Sequence, residues 1–158
     1  MSRSDRRLAG SALAVGVGIA VLSGHGAAAT PSGAHGKAAA QAITYARAQI
    51  GRPYLWGGTG PYAYDCSGLV MEAYASAGVH IARTSQDQWA TEPHVSSPQP
   101  GDLVFFAGSD GTMTSPGHVG IVIGSGEMIE AYGTGYPIRV ASYSRPDLVG
   151  FTQPQGGA

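Results

Sequence analysis

A single cysteine, Cys66, stands in a chain of 158 residues, and its surroundings decide whether it is packing or chemistry. In isolation, a lone cysteine reads as a small buried apolar residue. Its neighbours argue otherwise. Asp65 is placed to cap a helix over residues 66–77, closed by Gly78, with Leu69, Val70, Ala73 and Tyr74 on one face. Cys66 then falls in the first helical turn, where the positive helix end favours the thiolate, the nucleophilic form. A charged Asp65 opposes that effect, so the chemistry requires a base nearby.

Of the five histidines, His118 stands apart: it opens the run HVGIVIG, in which His118, Gly120 and Val122 share one strand face. The competing reading is a histidine satisfied at a strand end. Glu130 sits in the next apolar run, EMIEAY, on the face that carries Met128 and Tyr132. A carboxylate there is costly to bury unless it is partnered. A three-residue hairpin loop, Gly124 to Gly126, would pair 122 with 128 and 120 with 130. His118 then lies diagonal to Glu130, about 7–8 Å away at the backbone, whereas a one-residue slip would place them on opposite faces. Cys66, His118 and Glu130 thus fit the nucleophile, base and orienting acceptor of acyl transfer. Glu130 would also favour the imidazolium. A metal site fits poorly, because one Cys, one His and one Glu lack local ligand pairs; neither a metal nor another cofactor is expected.

The elements that must position these groups are legible in outline. Ile43, Ala46 and Ile50 recur at helical spacing from Ala38 onward, and Gly51 with Pro53 ends that pattern. YLWGGTGPYAY, residues 54–64, reads as an ordered aromatic loop, and TSQDQW, residues 84–89, as a short capped helix. After Pro100 the pattern changes to short β-prone runs at 103–107, 118–123, 128–132, 138–140 and 148–151. Helices followed by strands predict an α+β fold, with the N-terminal helices packed on an antiparallel β-sheet.

The length fits one domain, and 25 Gly with 10 Pro describe a loop-rich globular chain rather than a disordered one. Nine basic against ten acidic residues exclude the electrostatic footprint of a nucleic-acid binder. Arg3, Arg6 and Arg7 precede an apolar run from Leu8 to Leu22 and the small residues Ala27 to Ala29, the pattern of a secretory signal peptide over 1–29. A retained anchor is the alternative, but fifteen apolar residues diluted by glycine fall short of a membrane span, so no stable anchor is expected after processing. Arg6-Arg7-Leu8 leaves twin-arginine export open. Cleavage leaves six basic and nine acidic side chains, a net charge of −3. The expected organisation is a flexible leader at 30–37, one domain at 38–153 and a tail at 154–158, secreted and monomeric.

RPYLWGG (52–58), DCSGLV (65–70), PGDLVFF (100–106) and GHVGIVIG (117–124), in that order, resemble the NlpC family of bacterial cell-wall peptidases over residues 38–151. The resemblance implies a papain-like core and a cysteine peptidase acting on peptidoglycan stem peptides, at the bond between the D-glutamate γ-carbonyl and a diamino acid, commonly meso-diaminopimelate. It implies that Cys66 attacks, that His118 carries the proton, and that Tyr54 and the Cys66 backbone N–H bind the oxyanion. Asp65, Ser67, Arg83 and Ser85 would line the pocket for the L-Ala and D-Glu side. Many members have His where this chain has Glu130. Tyr54 has a packing-only alternative, and for Trp56 packing of the loop is the favoured expectation. The implied place of action is the cell wall. An amidase or acyltransferase on the same fold, or a silent wall-binding module, are the rival functions.

Overall fold

The computed structural model describes residues 33–155. The expected signal peptide, the first residues of the leader and the last three of the tail lie outside them. Within the described residues, α1 spans Gly33–Ala48, α2 Cys66–Ala75 and α3 Ser85–Thr91. Six strands follow: β1 His94–Val95, β2 Leu103–Phe106, β3 His118–Gly124, β4 Glu127–Glu130, β5 Arg139–Ser142 and β6 Leu148–Thr152. They form one antiparallel sheet in the order β1-β6-β2-β3-β4-β5, an α+β arrangement.

Alternation along the strands gives the sheet two apolar faces. Leu103, Phe105, Val119, Ile121 and Ile129 pack toward the helices, where Leu69, Val70, Ala73 and Tyr74 of α2 and Ala42 and Ala46 of α1 meet them. Leu69 is fully buried, so its truncation to Ala would cost about 2–5 kcal/mol. Val104, Phe106, Val122 and Met128 form a second cluster on the reverse face, with Tyr143 and the β6 residues Leu148 and Phe151 packed against it. His118 and Glu130 belong by alternation to this second face, at its end nearest the start of α2.

Several boundaries differ from expectation, for physical reasons. α1 begins at Gly33, not Ala38, so residues 33–37 are helical rather than a free leader. The Ala38–Ala40 run propagates the helix, and His35 lies 3.6 Å from Asp102 across it. Ile50 is exposed because α1 stops at Ala48 and the chain turns away. Tyr132 lies beyond β4 and is half-exposed, so it is a loop residue and not a strand-face neighbour of Met128. The β3–β4 register pairs Val122 with Met128 as expected, but the loop is shorter. Gly124 pairs with Glu127, leaving Ser125 and Gly126 as the turn at φ 56° and 79°, with a bulge near Ile123. Positive φ at both central residues is what a two-residue type I′ hairpin requires.

Candidate active site

Cys66 is the first residue of α2, and its position is fixed by the cap before it. The Asp65 carboxylate accepts from Gly68 N at 2.6 Å, closing the first turn. It also accepts from Gly57 N at 3.0 Å, so one side chain ties the aromatic loop to the helix start. Gly68 permits that approach: a Cβ there would come within 2.2 Å of the Gly58 carbonyl oxygen. Arg83 grips the same carboxylate at 3.1 and 2.6 Å and Ser67 Oγ at 3.0 Å. The concern that a charged Asp65 would oppose a thiolate is thereby met, since a guanidinium offsets it.

His118, at the start of β3, lines the same groove as Cys66 and is near enough for the thiol to act on its imidazole. Its Nε2 lies 2.8 Å from Oε2 of Glu130, which leaves Nδ1 for the sulfur. Cys66 Sγ is 3.9 Å from the carbonyl of Gly117, the residue preceding His118. Burial alone would lower the His118 pKa, but hydrogen bonds and charge from Cys66 and Glu130 outweigh it and lift it to about 9. Glu130 is fully buried, which favours its neutral form, yet His118 and Arg145 hold its carboxyl down at about 2. Its second oxygen, Oε1, receives Arg145 at 2.6 Å and Arg139 Nε and NH2 at 3.2 and 3.1 Å.

Cys66 and His118 open onto a groove of about 890 Å³. Tyr54, Asp65, Ser67, Arg83 and Ser85 line it too, so these sequence-selected positions gather at one site, while Glu130 stands behind His118 without reaching the groove. Burial chiefly pushes the Tyr54 phenol up to about 12, so its hydroxyl is a hydrogen-bond donor at neutral pH. Asp65 and Ser67 spend much of their hydrogen-bonding capacity on each other and on Arg83, and Ser85 is buried with its hydroxyl toward Gln86. Trp56 corrects the packing expectation: it is 75% exposed and lines the groove, because the Gly57–Gly58 turn carries the loop outward.

Arg139, Arg145, Tyr132 and Tyr136 were not anticipated. A signal for the two arginines existed: a buried carboxylate demands a cation, and Arg139 and Arg145 are the only basic residues after Glu130. Among the described residues no cluster of three or more His, Cys, Asp or Glu has the geometry to hold a metal ion, and no helix is long and apolar enough to cross a membrane.

A thiol at a helix start, an imidazole at the start of a strand and a buried carboxylate behind it are thus carried on an α+β, papain-like fold. The NlpC/P60 family model matches residues 51–151, and the chain belongs to that family. It is 43% identical over 95 residues to the probable endopeptidase p60 of Listeria monocytogenes, covering 59% of this chain and 19% of that protein. It is 40% identical over 107 residues to the bifunctional muramidase/DL-endopeptidase CwlT of Bacillus subtilis, covering 64% and 32%. The chain thus spans about a fifth to a third of the length of these relatives. Among solved structures, the peptidoglycan hydrolase RipB of Mycobacterium tuberculosis superposes with a TM-score of 0.68 at 31% identity, covering 78% of this chain and 67% of that one.

Proposed function

We propose that this protein is an exported cysteine endopeptidase that cuts peptidoglycan stem peptides between the D-glutamate γ-carbonyl and meso-diaminopimelate. The observation that carries the proposal is His118, set between the thiol of Cys66 and a buried, ionised Glu130 beside an open groove. The names of the relatives, an endopeptidase, a DL-endopeptidase and a peptidoglycan hydrolase, supply the substrate class. The run of residues 1–29 supports action outside the cytoplasm.

In this mechanism the Cys66 thiolate adds to the γ-carbonyl carbon. The oxyanion that forms takes hydrogen bonds from the Tyr54 hydroxyl and from the Cys66 N–H, one of the helix-start donors that lacks an intrahelical acceptor. His118 gives its proton to the diaminopimelate nitrogen as the C–N bond breaks, leaving a thioester and a free amine. Water then adds to the thioester, His118 accepting its proton, and the thiolate departs. Glu130 keeps the imidazole oriented and supports its positive charge throughout.

Digestion of a defined L-Ala-γ-D-Glu-meso-diaminopimelate stem, with products identified by mass spectrometry, tests the assignment. L-Ala-D-Glu and free diaminopimelate are expected. Cleavage between L-Ala and D-Glu would overturn the bond assignment, transfer to an added amine would reassign the enzyme as an acyltransferase, and binding without any product as a silent module.

A further inference from the structure

In the proposed reaction Glu130 holds the imidazole, but Glu130 is itself held more firmly than charge balance requires. His118 alone can neutralise one carboxylate. Here two guanidiniums converge on Oε1 through three N–H groups, while Oε2 is left to His118. Arg139 stands directly opposite Glu130 in the β4–β5 ladder, and Arg145 arrives from the loop before β6. Both guanidiniums are stacked in place. Arg139 lies 4.8 Å from the Tyr132 ring and 4.9 Å from that of Tyr136; Arg145 lies 5.0 Å from Phe106 and 5.4 Å from Tyr132. Tyr132 also meets the His118 ring edge-on at 5.8 Å. One aromatic side chain therefore packs on both arginines and on the base. The carboxylate cannot rotate without breaking several charge-assisted bonds, which are individually strong.

We propose that Arg145 and Arg139 are positioning residues for the hydrolysis: by fixing Oε1 of Glu130 they keep Oε2 aimed at His118 and so preserve the thiolate–imidazolium pair into acidic solution. This rests on the function proposed above. The charged and titratable groups facing Glu130 are His118 from β3, Arg139 from β5, and Arg145 and Tyr132 from the flanking loops. Cys66 lies beyond the imidazole, and Asp110 and Asp147 also line the groove. Removing one guanidinium takes away part of what opposes burial, so Glu130 would protonate at higher pH and release the imidazole.

The test uses Arg145→Met, which keeps an apolar stem over Phe106, with Arg145→Lys to restore charge and Arg139→Gln as a second, more exposed variant. kcat and KM on the defined stem are measured alongside the pH profile of Cys66 alkylation by iodoacetamide, which needs no substrate. Arg145→Met is expected to lower kcat about tenfold or more with KM within about twofold. The half-point of the acidic alkylation limb should rise by about one pH unit, and Arg145→Lys should bring it most of the way back. Arg139→Gln should move it in the same direction by less. A rise in KM at constant kcat would make Arg145 a substrate contact and overturn the proposal; so would an unmoved alkylation profile in folded variants. If wild type fails to cut the stem while the alkylation limb shifts as described, the positioning role stands and the substrate assignment falls.

Discussion

Asp65, the residue before Cys66 in the chain, and Arg83 form a two-pronged ion pair, 2.6 Å at one carboxylate oxygen and 3.1 Å at the other. The pair does two jobs: it caps α2, and it offsets a negative charge that would otherwise oppose a thiolate at Cys66. Asp65→Ala removes the cap and strands the Gly57 N–H. It is expected to cost about 1–2 kcal/mol in urea denaturation. Arg83→Ala leaves the carboxylate uncompensated, so alkylation of Cys66 at pH 6 should slow. An unchanged rate would show that Asp65 has no electrostatic influence on the sulfur.

Stability should have a defined pH optimum. Glu130 is held at about 2, below an unfolded carboxyl, so its contribution is present above about pH 4.3 and is lost as pH falls toward 2. His118 is raised to about 9, so its contribution is complete below about pH 6.5 and is lost as pH rises through 9. Both act together between about pH 4.5 and 6.5. Melting temperatures measured from pH 3 to 10 should peak in that window, and His118→Gln should flatten the alkaline decline. A wild-type Tm that climbs steadily to pH 9 would contradict the assignment.

Much of this site was legible in the chain. The helix start at Cys66, its Asp65 cap and the pairing of Val122 with Met128 follow from local rules of capping and alternation. What escaped depends on long-range register. Arg139 meets Glu130 only because β4 and β5 pair in one alignment across an irregular eight-residue connection, and Arg145 reaches the same oxygen from a further loop. The two-residue strand β1 is too short to leave a periodic signal. The outward turn of Trp56 depends on backbone geometry at Gly57, at φ 75°, rather than on hydrophobicity.

His118 and Glu130 should differ in how much turnover they control. His118→Ala removes the imidazole that the proposed mechanism uses as proton carrier, whereas Glu130→Gln keeps the shape of an acceptor and loses the charge. Single-turnover rates should fall about 10³-fold or more for the first and about 10- to 100-fold for the second. Equal losses would mean that Glu130 does more than orient the imidazole.

Trp56 provides a contrast between binding and folding. Its side chain is 75% exposed, so Trp56→Ala should change stability by no more than about 0.5 kcal/mol. Because the indole lines the groove, KM for a stem peptide should rise several-fold while kcat holds. A large loss of Tm would restore the packing role that the exposure argues against.

The most direct check on the whole account is the rate at which wild type and Cys66→Ala cleave the same diaminopimelate stem under identical conditions. Wild type should release diaminopimelate through a thioester trapped on the peptide that contains Cys66, and the variant should release none above the uncatalysed rate. Comparable turnover by both proteins would contradict a nucleophilic Cys66.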